Sequence, residues 1–78
     1  MTKSVFSKKY DCFKTMLIEA RKEAGLTQSQ LSIKLKKPQS FISKYENGER
    51  RLDVIEFFEI AHAMGVDPYR FLRKLELN

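Results

Sequence analysis

The sequence predicts an all-α domain of five short helices. Three observations carry that reading. Apolar residues recur at steps of three and four, and no stretch alternates with the period of a strand. Thr27 with Gln30, and Asp53 with Glu56, have the spacing of capping boxes, which satisfy orphan backbone donors at helix starts. All three glycines stand just after predicted helices, and both prolines stand near predicted starts.

Residues 1–9 read as a flexible basic arm and residues 10–78 as the folded domain. The first helix is expected from Tyr10 or Asp11 to Ala24, with Tyr10, Phe13, Leu17, Ala20 and Ala24 as its apolar stripe. Ser7 or Asp11 would cap its start, and Gly25 ends it with a positive φ. Thr27 opens the second helix, which runs to Leu35 with Leu31 and Leu35 facing inward. Pro38 disfavours a helical Lys37, so the chain turns there and starts a third helix over about 39–47, closed by Asn47-Gly48. Asp53 opens a fourth helix to Met64, with Val54, Phe57, Phe58, Ala61 and Met64 buried. Gly65 stops it, and Asp67-Pro68 opens a fifth to about Leu75.

The third helix divides into two faces. At about 100° per residue, Phe41, Ile42 and Tyr45 share one side; Gln39, Ser40, Ser43, Lys44 and Asn47 share the other. The outward side thus carries amide, hydroxyl and amine groups, the chemistry that bonds base edges and phosphates. Two helices joined by a tight turn, the second with such a face, form a helix-turn-helix reader of DNA.

Composition agrees. With 78 residues, 42 % hydrophobic and 32 % charged, one small core is expected, and such a short chain gains from a partner subunit. The net charge of +5 is unevenly spread: residues 21–51 hold eight Lys and Arg against three acids, whereas residues 52–78 hold three against five. A polyanion on one side suits that asymmetry. Residues 1–10 lack the apolar block of a signal peptide, and a cytoplasmic setting is expected. The single Cys12 excludes an internal disulfide; Cys12 with His62 falls short of a zinc site, so no metal or cofactor is expected. Paired carboxylates, a nucleophile–base set and a phosphate loop are all missing from the pattern, which speaks against an enzyme.

Leu26-Thr27-Gln28-x-x-Leu31-x-x-x-Leu35, then Ile42-Ser43-Lys44-Tyr45-Glu46-Asn47-Gly48, then Ile60-Ala61-x-Ala63-Met64-Gly65-Val66 and Phe71-Leu72, resembles the XRE family of lambdoid phage repressors and Cro proteins. The resemblance spans roughly residues 13–75. Three positions depart from it: Lys36 and Lys37 stand where the family has Gly and an aliphatic residue, and Pro38 stands where it has a small hydroxyl cap.

What the resemblance implies is a lambda-repressor-like fold and a small homodimeric, repressor-like regulator on a pseudo-palindromic operator. By position, Gln39, Ser40 and Lys44 match base-reading residues, with Ser43 beside them, and Gln28 matches a phosphate contact. Asn47, Lys36, Lys37, Arg50 and Arg51 flank the reading helix and are expected on phosphates. Arg21 and Glu46 are expected to pair inside the motif. Phe71 and Leu72 match core positions, which leaves Tyr69, Leu75 and Leu77 for a dimer interface. An alternative is an antitoxin-type interaction module that also binds its own operator. No small-molecule effector is expected.

Overall fold

The computed structural model describes the backbone of residues 4–78 and side chains from Lys8 onward. Five helices follow in order: α1 Ser4–Glu23, α2 Gln28–Leu35, α3 Gln39–Glu46, α4 Val54–Met64 and α5 Pro68–Leu77. Among the described residues there is no strand, and no helix is long and apolar enough to cross a membrane.

Both capping boxes form as expected. Thr27 Oγ1 accepts from the Gln30 backbone at 3.0 Å while Gln30 Oε1 accepts from the Thr27 backbone at 2.9 Å. Asp53 and Glu56 repeat the exchange at 2.8 and 3.0 Å. At α5, Asp67 Oδ1 accepts from the Tyr69 and Arg70 amides, and Pro68 occupies the first turn, where its missing N–H costs nothing.

The largest correction falls on the start of the first helix. α1 begins at Ser4, six residues before Tyr10, so neither Ser7 nor Asp11 caps it. Residues 4–10 hold no glycine or proline to stop a helix. Lys9 Nζ, one turn inside, donates to the carbonyls of Leu75 at 3.1 Å and Asn78 at 2.9 Å. A cation on the last carbonyls of α5 complements their partial negative charge. Residues 1–3 lie outside the described residues.

The core lies where the five helices meet. Leu17, Leu31, Ile42, Tyr45 and Ile60 are its most deeply buried side chains, one or more from each of α1 to α4. Each such burial contributes roughly 1.5–3 kcal/mol. A second group, Phe13, Phe57 and Phe71, joins α1, α4 and α5 through ring centroids 5.3–5.9 Å apart. α1 and α2 both pack on α3, so the third helix rests on a double support.

Three expected core positions differ. Val54 is 59 % exposed because it opens α4, ahead of the turn that meets the core; Ile60 takes the buried place instead. Leu72 is 36 % exposed, on the flank of α5 beyond Phe71. Ala24 is exposed, past the end of α1.

Candidate nucleic-acid interface

The turn between α2 and α3 is made without glycine. Lys36 adopts the left-handed conformation, φ 58° and ψ 42°, and its N–H reaches the Ile33 and Ser32 carbonyls. Lys37 N–H bonds Ser32 O at 3.0 Å. Pro38 then stands at the N-cap of α3 with extended backbone and no side-chain cap, one position earlier than the first helical turn. Removing the usual hydroxyl cap forgoes about 0.5–2 kcal/mol. The packing of Phe41, Ile42 and Tyr45, all buried, holds the helix instead.

The two faces of α3 separate as its sequence requires. Gln39, Ser40 and Lys44 are exposed, and Ser43 is half-buried with its hydroxyl turned back onto the Ser40 carbonyl at 3.3 Å. Asn47 is exposed at the C-cap, where its backbone N–H bonds Ser43 O and Tyr45 O. Gly48 follows with φ 81°, and a Cβ there would stand 3.1 Å from Lys14 Nζ. Lys14 of α1, which the sequence pattern did not single out, therefore comes to the C-terminal end of α3.

Behind this face lies an ion pair. Arg21 Nε donates to Glu46 Oε2 at 2.8 Å and Nη2 to Oε1 at 3.1 Å, with both side chains buried. Arg21 Nη1 also donates to Leu26 O at 2.9 Å. Hydrogen bonding to Glu46 holds the Arg21 guanidinium above its ordinary range, against the opposing effect of burial. The pair ties α1 to α3, as expected from the sequence. Gln28 completes it: its Nε2 donates to Glu46 Oε1 at 2.9 Å. The Gln28 Oε1 in turn faces Gln39 Nε2 at 3.5 Å. Spacing alone could not reveal that contact, because Gln28 and Glu46 are brought together only by the turn.

The flanking cations fall into two groups. Lys36, Lys37 and Arg51 are exposed, as is Lys44 on α3. Lys37 Nζ lies 5.3 Å from the Phe41 ring centre and Arg51 lies 4.4 Å above Tyr10. Arg50, expected on phosphate with them, is engaged otherwise. It donates to Glu56 at 3.0 and 2.6 Å and stacks 4.8 Å from the Phe41 ring centre. That fork neutralises its charge and pins the α3–α4 loop to α4. The same fork, with the Asp53 backbone, pushes the Glu56 carboxyl down to about 2.

On α5, Tyr69 and Leu77 are 72 % and 80 % exposed, but the three residues expected at a dimer interface do not share a face. Tyr69 leans on Phe58 of α4, with ring centres 6.0 Å apart. Leu77 borders the groove between α5 and Met16 and Ala20 of α1. Leu75 is half-buried on the Phe71 side.

A short helix packed on its predecessor by a tight turn, presenting amide, hydroxyl and amine groups beside exposed lysines, defines a helix-turn-helix domain. Residues 17–71 match the helix-turn-helix family, and the chain belongs to its XRE branch. An XRE-family-like protein from Pseudomonas syringae pv. tomato str. DC3000 superposes with a TM-score of 0.93 at 50 % identity, over 97 % of this chain and 93 % of that one. The HTH-type transcriptional regulator y4dJ of Sinorhizobium fredii is 39 % identical over 46 residues. The matched segment covers 59 % of this chain and 60 % of that relative's length.

Proposed function

We propose that the protein binds double-stranded DNA sequence-specifically as a small homodimeric, repressor-like regulator, with α3 in the major groove. The observation that supports this most directly is the composition of the outward face of α3. Gln39, Ser40 and Lys44 stand exposed on a helix whose opposite face is buried. Glutamine complements adenine N6 and N7, and lysine complements guanine O6 and N7. Gln28 retains a second amide hydrogen for a phosphate; Lys36, Lys37, Arg51 and Asn47 supply further backbone contacts. Arg50 drops out of that set because Glu56 already occupies its fork.

The test is selection of bound duplexes from a random pool, followed by footprinting. An enriched sequence with two half-sites about 34 Å apart is expected for a dimer. Gln39→Ala and Lys44→Ala should each cost about 1–3 kcal/mol on that sequence and relax preference at particular bases. Lys37→Ala should weaken every duplex alike. If Gln39→Ala behaved like Lys37→Ala, the reading face would be misassigned.

A further inference from the structure

Two cations from opposite ends of α3 converge on one ring of that helix. Lys37, in the turn before α3, lies 5.3 Å from the Phe41 ring centre, and Arg50, in the loop after it, lies 4.8 Å away. Together they make an anion site, and the chain fills it with its own carboxylate. Glu56 accepts from Arg50 Nη1 at 3.0 Å and from Nη2 at 2.6 Å. The Asp53 amide donates to the same carboxylate at 3.0 Å, so the capping box fixes it in place. After the Arg50 and Asp53 hydrogen bonds, Lys37 too helps to hold the Glu56 carboxyl low.

A guanidinium fork takes a carboxylate or a phosphate with the same geometry. Of this pair, Arg50 is the more exposed, with 40 % of its side chain accessible against 17 % for Glu56, so an anion arriving from solvent meets the guanidinium. It meets it already engaged. Besides the two bonds to Glu56, Nη1 donates to the Arg51 carbonyl at 3.0 Å. A phosphate reaching the remaining N–H groups would face a neutral pair rather than a free cation. Resting on the reading of the α3 face as the DNA surface, we propose that Glu56 is an intramolecular competitor for a backbone phosphate at Arg50. It holds affinity for every duplex below what the basic loop could reach. The same carboxylate closes the capping box of α4, so it serves the fold at the expense of binding.

The experiment uses the full chain and a duplex selected by it, with affinity followed by fluorescence anisotropy over a series of salt concentrations. Glu56→Gln removes the charge and keeps a side chain that serves in a capping box. It should steepen the slope of log affinity against log salt by about 0.9 for each bound subunit, the contribution of one phosphate. Its gain over the wild type should therefore grow about eightfold per subunit for each tenfold dilution of salt. Two comparisons separate a released contact from a mere change of charge. Glu49→Gln removes a carboxylate from the same loop, exposed and in no ion pair among the described residues, and should leave the slope nearly unchanged. Glu56→Gln made together with Arg50→Ala should lose the added slope. A third measurement does not depend on the folding of Glu56→Gln: Arg50→Ala alone should leave the wild-type slope essentially unchanged. A fall of about 0.9 there would show that Arg50 already meets phosphate and would overturn the inference. So would a gain from Glu56→Gln no larger than that from Glu49→Gln, or one that persists without Arg50. Each of these results leaves the DNA reading intact, whereas failure of the wild type to bind any duplex would remove that reading and the competition with it.

Discussion

Two single positions carry a cost that their surroundings impose. Lys36 holds a left-handed conformation in which a Cβ is disfavoured by about 1–2 kcal/mol. Glycine would relieve that, but would lose more entropy on folding, by roughly 0.5–1 kcal/mol. Lys36→Gly is therefore expected to stabilise the domain by up to about 1 kcal/mol in urea unfolding, while weakening binding to all duplexes alike through the lost cation. A loss of stability would mean that the lysine stem contributes packing at the turn. Tyr45 presents the second case. Its hydroxyl is buried without a hydrogen-bond partner, and burial, with Glu46 beside it, pushes its ionisation well above the usual range. An unsatisfied buried hydroxyl costs about 1–3 kcal/mol, so Tyr45→Phe should be neutral or stabilising by up to about that amount. A marked destabilisation would show that a hydrogen bond is made there.

Between elements, side chains do the joining that loops alone leave loose. Arg21–Glu46 bridges α1 and α3, the Tyr10 hydroxyl accepts from the Leu52 amide at 3.3 Å, and Arg50–Glu56 fastens the loop before α4. The last of these has a pH signature. The Glu56 carboxyl is lowered from 4.5 to about 2 in the folded state, first by the Arg50 hydrogen bonds and then by the Asp53 backbone. Below 4.5 the unfolded chain takes up this proton before the folded one does, so stability falls with acid. The contribution is fully present above 4.5 and is lost as pH drops through about 2. Thermal melts across that window should show the decline in the wild type and a shallower one in Glu56→Gln, which starts from a lower stability at neutral pH. Parallel curves for the two proteins would assign the acid sensitivity to other carboxylates.

At the level of the whole molecule, charge and apolar surface are placed on different parts. Lys36, Lys37, Lys44 and Arg51 surround α3, and on the proposed function each phosphate they neutralise should add about −0.9 to the slope of log affinity against log salt. Affinity independent of salt would contradict the proposed function. Assembly should draw on the exposed apolar side chains of α5, where Tyr69 and Leu77 are the clearest cases. On the proposed function, one domain would read too few base pairs to find its site alone, which is the physical argument for a dimer. Sedimentation at micromolar concentration should show a dimer that Tyr69→Glu or Leu77→Glu weakens. Leu75→Glu is the poorer probe, because Leu75 is half-buried on the inward side of α5. A monomer at every accessible concentration would end the dimer proposal.

What the sequence determined by itself was whatever depends on near neighbours. Capping boxes, stop residues and apolar stripes act within one or two turns, so five helices, both capping boxes and the buried face of α3 were legible from Thr27, Asp53, Phe41, Ile42 and Tyr45. The family resemblance extended this to one long-range contact, Arg21 with Glu46. Tertiary structure decided the rest. The start of α1 at Ser4 has no local cap to announce it, and Lys9 on the end of α5 joins residues nearly a chain length apart. Arg50 reads as one more cation in a basic loop until the fold sets Glu56 beside it. Gln28 reads as a helix-start polar residue until the turn carries it to Glu46. A charged or amide side chain has no fixed role in the sequence, because its partner is chosen by proximity in space, and proximity is set by how the helices pack.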